Sequence, residues 1–135
     1  GLEKYLEFKK ASFKISHLAL AASGTVALEL AANNTPMVIG YDMNFFSRQI
    51  IGLMLQTDTV NLVNLITGNR NIPECIGSNF KSENLFLEMV RVYSNNEKQI
   101  QDFKTTMDLL GKNKEAPNIR AANSLLTFCK NFKTV

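Results

Sequence analysis

Ala19-Leu20-Ala21-Ala22-Ser23-Gly24-Thr25-Val26-Ala27-Leu28-Glu29 is the segment from which the rest of the chain can be read. After His17 the residues to Ala22 are apolar and stop at Ser-Gly, the pattern of a short parallel strand buried on both faces. Val26, Leu28, Leu30 and Ala31, spaced among alanines, then predict a helix with Ser23 or Thr25 as its cap. A strand, a small-residue turn and a helix start together make an anion site, because free N–H groups and the helix dipole converge on the turn. Gly24 would let a ligand approach the backbone closely. Glu29 lies one helical turn beyond Thr25, where a carboxylate can accept hydrogen bonds from sugar hydroxyls. The same residues also fit a plain capped turn with Glu29 as a solvated helix residue.

The helix, expected over 25–33, ends at Asn33-Asn34, two residues that tolerate the left-handed conformation. Pro36 opens Met37-Val38-Ile39-Gly40-Tyr41, a second short apolar run expected as a buried parallel strand. Strand, helix, strand is a right-handed βαβ unit. Ligands of such sheets bind beyond the carboxyl ends of the strands, which puts Ser23, Gly24, Thr25, Tyr41 and Asp42 on one rim.

Residues 44–56 are apolar on most faces and predict a helix. It is either buried between the sheet and its neighbours, or it offers Phe45, Phe46 and Ile50 as an apolar patch for acyl chains or a membrane. Thr57 to Leu62 is expected as a third strand, with Asn64 in the loop behind it, bonded to its own backbone or reaching a ligand on the rim. Asn69 to Asn79 reads as loop. Helices follow over Ser82–Ser94, capped by Ser82, and over Glu97–Leu110, with Ile100, Phe103, Met107 and Leu110 on one face and Gly111 at the end. A polar linker leads to a last helix over 118–132, and an amphipathic helix over 2–12 precedes everything. The class is α/β, with a parallel sheet of about three strands and C-terminal helices. Three strands cannot cover their own faces, so further strands are expected in chain outside these residues.

The 135 residues carry 15 basic and 12 acidic side chains, a net charge of +3 that is too small and scattered for a nucleic-acid partner. Cys75 and Cys129 stand alone, without the spacing of a disulfide framework or a zinc site. The single histidine, His17, is read as structural. No segment is long and apolar enough to span a bilayer, which needs about 20 such residues. The absence of an initiating methionine and of a signal peptide predicts a piece of a longer cytoplasmic chain.

Ala22-Ser23-Gly24-Thr25-x-Ala27-Leu28-Glu29 followed by Pro36-Met37-Val38-x-Gly40-Tyr41 resembles the nucleotide-sugar-binding half of GT-B glycosyltransferases. Val60-x-Leu62-x-Asn64-Leu65-Ile66-x-Gly68, and then Pro73-Glu74, is similar to the lipid-A-disaccharide synthase family in particular. The chain departs from that pattern at Asp42, Val63 and Gly77. The resemblance implies that residues 1–95 are part of a Rossmann-like GT-B C-terminal domain, with 96–135 a helical extension packed on it or on the missing half. It implies an inverting transfer of 2,3-diacylglucosamine from its UDP donor to 2,3-diacylglucosamine 1-phosphate, giving a β-1,6 disaccharide and UDP. No cofactor or metal would be needed. Ser23, Gly24 and Thr25 would hold the diphosphate, Glu29 the ribose, and Tyr41 would line the rim. Asn64 would sit near the diphosphate or donor sugar. No catalytic residue is expected here, since the general base would lie in the N-terminal half. The partners implied are the two acylated sugars, that missing half and the inner-membrane surface, against which the enzyme would sit peripherally on the cytoplasmic side. Alternatives are another GT-B UDP-sugar enzyme, a glucosaminyltransferase or an epimerase, and a non-catalytic α/β interaction module.

Overall fold

The computed structural model describes residues 1–22, 24–42, 59–112, 114–115 and 117–132. Ser23, the helix expected over 44–56 with Phe45 and Phe46, and the first two residues of the strand expected from Thr57 lie outside the described residues. In chain order the elements are α1 (Leu2–Ile15), β1 (Ala19–Ala21), α2 (Gly24–Ala32), β2 (Met37–Tyr41), α3 (Leu62–Thr67), β3 (Glu74–Ile76), α4 (Ser82–Ser94), α5 (Glu97–Leu110) and α6 (Pro117–Phe132).

The three strands form one parallel sheet in the order β1-β2-β3, with Ala19 opposite Met37 and Tyr41 opposite Ile76. All five residues of the middle strand are buried, as a continuous apolar run predicts for a strand covered on both sides. Alternation divides them. Met37, Ile39 and Tyr41 join Ala27, Leu30, Ala31, Val63, Phe103 and Met107 of α2, α3 and α5, whereas Val38 meets Cys75, Leu85, Met89 and Val92 on the α4 side. Helix α2 presents small residues at the i, i+4 spacing (Ala27, Ala31), so its axis lies close to the sheet. It ends where the notched pattern of asparagines predicts, with Asn34 left-handed at φ 56°.

Among the described residues there are three strands, but the third is not the one expected. Thr59 and Val60 are irregular, and Asn61 takes extended geometry as the N-cap of α3, its Oδ1 accepting from the N–H groups of Val63 at 2.8 Å and Asn64 at 3.2 Å. An asparagine cap followed by leucines outweighs the strand tendency of Val60 and Val63. The strand instead falls on Glu74-Cys75-Ile76, inside the stretch expected as loop. Pro73 sits immediately before it, where its missing N–H costs nothing, and its carbonyl accepts from Ile39 at 2.9 Å to start the ladder. Ser82 is the first residue of α4 rather than its cap, which is Lys81. Gly77 has φ 57°, a conformation glycine adopts freely, which gives a local reason for glycine at that departure from the family pattern.

Helix α5 packs on α2 and α3. Gln99, buried, accepts from the Met37 N–H at 2.9 Å and donates to the Met37 carbonyl at 3.0 Å and the Asn71 carbonyl at 3.1 Å, so one amide closes the open end of β2. Asp102 accepts from Asn69 at 2.6 Å and Asn71 at 2.7 Å, tying the loop before β3 to the same helix. Helix α1 buries no residue fully and is held by Thr35 Oγ1 donating to the Phe13 carbonyl at 2.7 Å. Ile119, Leu125, Leu126 and Phe128 of α6 are exposed, as are Leu2, Tyr5 and Phe8 of α1.

Candidate functional site

The rim forms at the carboxyl ends of β1 and β2. Gly24 and Thr25 are the first residues of α2, so the N–H groups of its first turn, which precede the intrahelical ladder, open onto the side where β1 ends. Gly24 is not in the left-handed region; among described residues that region holds Asn34, Gly68, Gly77 and Gly111. Its value lies in space. A Cβ there would stand 3.5 Å from the Val60 carbonyl and from Leu62 Cγ, so residues 60–62 rest on one side of the turn at ordinary contact.

Thr25 and Glu29 share the exposed face of α2, opposite Ala27, Leu30 and Ala31, about 6 Å apart along the axis. Glu29 is paired with Lys9 of α1, at 3.0 Å to Oε1 and 2.8 Å to Oε2, and its side chain is 47% exposed. An ion pair this open contributes about 0–1 kcal/mol, little enough for a ligand's hydroxyls to compete for the carboxylate. Tyr41 ends β2, buried, with Asp42 exposed behind it.

Burial, and then the negative charge of Glu74, push the Tyr41 phenol up to about 12 from 10.0. The neutral phenol is thus favoured by folding, a contribution complete below pH 10 and lost as pH rises from 10 toward 12. Thermal melts across that window are expected to show Tyr41→Phe losing less stability with pH than the parent chain. Parallel curves would contradict this placement of the ring.

Asn64 is not in a loop facing the rim. It lies inside α3, fully buried, with Oδ1 accepting from the Ile72 N–H at 3.1 Å and Nδ2 donating to the Ile72 carbonyl at 2.9 Å. Its amide is saturated by the backbone of the approach to β3. The structure thus turns it inward and gives it a role in fixing α3 to the sheet. Ser23, Phe45 and Phe46 lie outside the described residues. His17 is exposed.

One carboxylate beside the turn was given no structural role in the sequence reading. Glu74 Oε1 accepts from the N–H groups of Val60 at 3.0 Å and Asn61 at 2.7 Å, and Oε2 accepts from Thr59 Oγ1 at 2.7 Å. A carboxylate directly after a proline that opens a strand was the available signal, but its partners lie 13 to 15 residues back.

A concave surface lies at the opposite, amino end of the sheet. It is a cavity of about 300 Å³ lined by Arg70, Arg91 and Lys98 with Asn71, Asn95 and Asn96. Its cations make it a rival location for an anion. Among the described residues no three His, Cys, Asp or Glu side chains group as metal ligands, and no helix is long and apolar enough to cross a membrane.

The sequence is similar to several curated bacterial proteins of one name. Lipid-A-disaccharide synthase from Ruegeria pomeroyi is 43% identical over 118 residues, covering 87% of this chain and 29% of that relative. The enzyme of the same name from Rickettsia prowazekii is 37% identical over 101 residues, 75% of this chain and 27% of the relative. That from Bradyrhizobium diazoefficiens is 32% identical over 121 residues, 87% of this chain and 31% of the relative. The chain therefore spans under a third of the length of these bacterial relatives. The family model of lipid-A-disaccharide synthetase matches residues 3–127, nearly the whole sequence, so the chain belongs to that glycosyltransferase family.

Proposed function

We propose that these residues form part of the nucleotide-sugar half of an inverting GT-B glycosyltransferase. The reaction is transfer of 2,3-diacylglucosamine from UDP to 2,3-diacylglucosamine 1-phosphate, forming the β-1,6 lipid A disaccharide and releasing UDP. The observation that carries the reading is the start of α2 at the carboxyl end of β1, with Glu29 on the same exposed face as Thr25. As the glycosidic bond breaks, the departing diphosphate gains negative charge. Fixed N–H donors of Gly24 and Thr25 stabilise that charge without the reorganisation water would need, and without a metal. Glu29 takes the ribose hydroxyls, exchanging its contact with Lys9 for them, and Tyr41 walls the site. Asn64 acts indirectly, by holding α3 in place.

An attacking hydroxyl still needs a general base. That group belongs to the acceptor half, and since the chain covers 29% of the Ruegeria relative, these residues are expected to be inactive alone. The acylated substrates place the enzyme at the cytoplasmic side of the inner membrane as a peripheral protein.

Calorimetric titration of the chain with UDP tests the site. Glu29→Gln is expected to weaken UDP about tenfold to 150-fold, the range for losing hydrogen bonds to a charged acceptor. Gly24→Ala separates ligand from fold. The added methyl meets only ordinary contacts, so the melting temperature should hold or rise slightly while UDP affinity falls. Unchanged affinity in both variants would remove the nucleotide site from this rim. Product assays in the full-length enzyme, comparing acylated with non-acylated UDP-glucosamine, separate this reaction from those of other GT-B enzymes.

A further inference from the structure

We propose that Glu74 is a positioning residue for the nucleotide site, holding residues 59–61 in place beside the α2 turn; this rests on the nucleotide reading above. Residues 59–61 lie outside the three described strands, yet they run directly alongside Gly24, with the Val60 carbonyl and Leu62 in contact distance of its Cβ position. Backbone N–H groups shielded from water need an acceptor. Val60 and Asn61 find it in one side chain, at 3.0 Å and 2.7 Å, and the Thr59 hydroxyl donates to the same carboxylate at 2.7 Å. Bonds to a carboxylate are about twice as strong as bonds between neutral groups.

The position so fixed carries two consequences. Asn61, one residue along, spends its Oδ1 on the N–H groups of Val63 and Asn64, so the start of α3 is set by where Glu74 places Asn61. Val60, on the other side, sets the wall against which Gly24 rests, and therefore how far the first turn of α2 can shift as a diphosphate arrives. Glu74 itself stands on β3, opposite Ile39 in the middle strand, the most firmly buried part of the sheet. The carboxylate transmits that rigidity to residues 59–61, which lie outside the described strands. The charge of Glu74 is also felt at Tyr41, the other wall of the rim.

A mere stabilising contact and a positioning contact differ in what a conservative variant restores. Glu74→Gln keeps an oxygen for Val60 and Asn61 and offers an N–H to Thr59 Oγ1, so the segment stays in place without the charge. Glu74→Ala takes this acceptor from all three donors and leaves the Asn61 N–H only its longer bond, 3.3 Å, to Thr59 Oγ1. The experiment is UDP titration of the chain and its two variants, combined with amide hydrogen exchange; Val38, Ile39 and Gly40 of β2 serve as the reference for an intact fold. Expected is UDP binding weakened about tenfold in Glu74→Ala, the loss of a hydrogen bond or two, with faster exchange at Val60 and Asn61 and an unchanged β2. Glu74→Gln should recover most of both. Full UDP affinity in Glu74→Ala, or unchanged exchange at Val60 and Asn61, overturns the claim about Glu74 alone. So does a Glu74→Gln variant as weak as Glu74→Ala, which would make charge rather than placement the cause. A parent chain that ignores UDP overturns the nucleotide reading, and with it any service Glu74 gives to that site.

Discussion

Asn64→Ala is expected to destabilise the chain by about 2–4 kcal/mol, the sum of a lost buried side chain and two backbone groups left without partners. The Ile72 N–H and carbonyl are both taken by the Asn64 amide, and both residues are buried to 1% exposure or less. No water can replace the amide without opening the space between α3 and β3. Asn64→Asp should be worse still, because a carboxylate would face the Ile72 carbonyl in place of a donor. Urea unfolding measures the loss, and exchange at the Ile72 amide localises it. A variant as stable as the parent chain would show that Asn64 is free to face a ligand after all. Since an asparagine at this position looks in sequence like a ligand contact, any loss of activity on its replacement must be compared with the loss of stability before it is assigned to chemistry.

Phe103→Ala carries the other large effect. Its ring is fully buried where α5 meets α2, α3 and the sheet, among Leu30, Met37, Ile39 and Val63. Removing a buried phenylalanine costs about 3–5 kcal/mol, part transfer and part cavity. That is a large share of the about 5–15 kcal/mol that holds a typical domain together, so the melting transition should move far down or vanish. Phe103→Leu should keep most of the stability, at a cost below about 1.5 kcal/mol. If the alanine variant melted like the parent, α5 would not belong to this core.

These two residues also mark how far the sequence could be read. The helix bearing Phe103 was legible to its ends, Glu97–Leu110, because its apolar spacing is regular and Gly111 terminates it in a left-handed turn. Its inward face was less legible. Leu110 is exposed, and Gln99, Asp102 and Thr106 are buried in its stead, because their polar atoms serve the strand end and loop below them or are packed out of solvent. Strand β2 was read to the residue, its unbroken apolar run having one structural meaning between Pro36 and Asp42. The region from Thr59 to Ile76 was misread. An N-cap asparagine, a six-residue helix and a three-residue strand are each too short to leave a periodic signature, and Asn64 and Glu74 are defined by partners elsewhere in the chain. The start of α2 with Glu29 one turn along was visible at once, being wholly local. The contact of Glu29 with Lys9, 20 residues away, was not.

The central claim is that a nucleoside diphosphate sits where β1 gives way to α2. Backbone amide NMR spectra of the chain, recorded during titration with UDP, address it most directly. The account predicts that the largest shifts fall on Gly24 and Thr25, with smaller ones at Glu29, Asp42 and residues 59–62. Shifts gathered instead around Arg91, Asn95, Asn96 and Lys98 at the far end of the sheet, or no shifts at all, would contradict it.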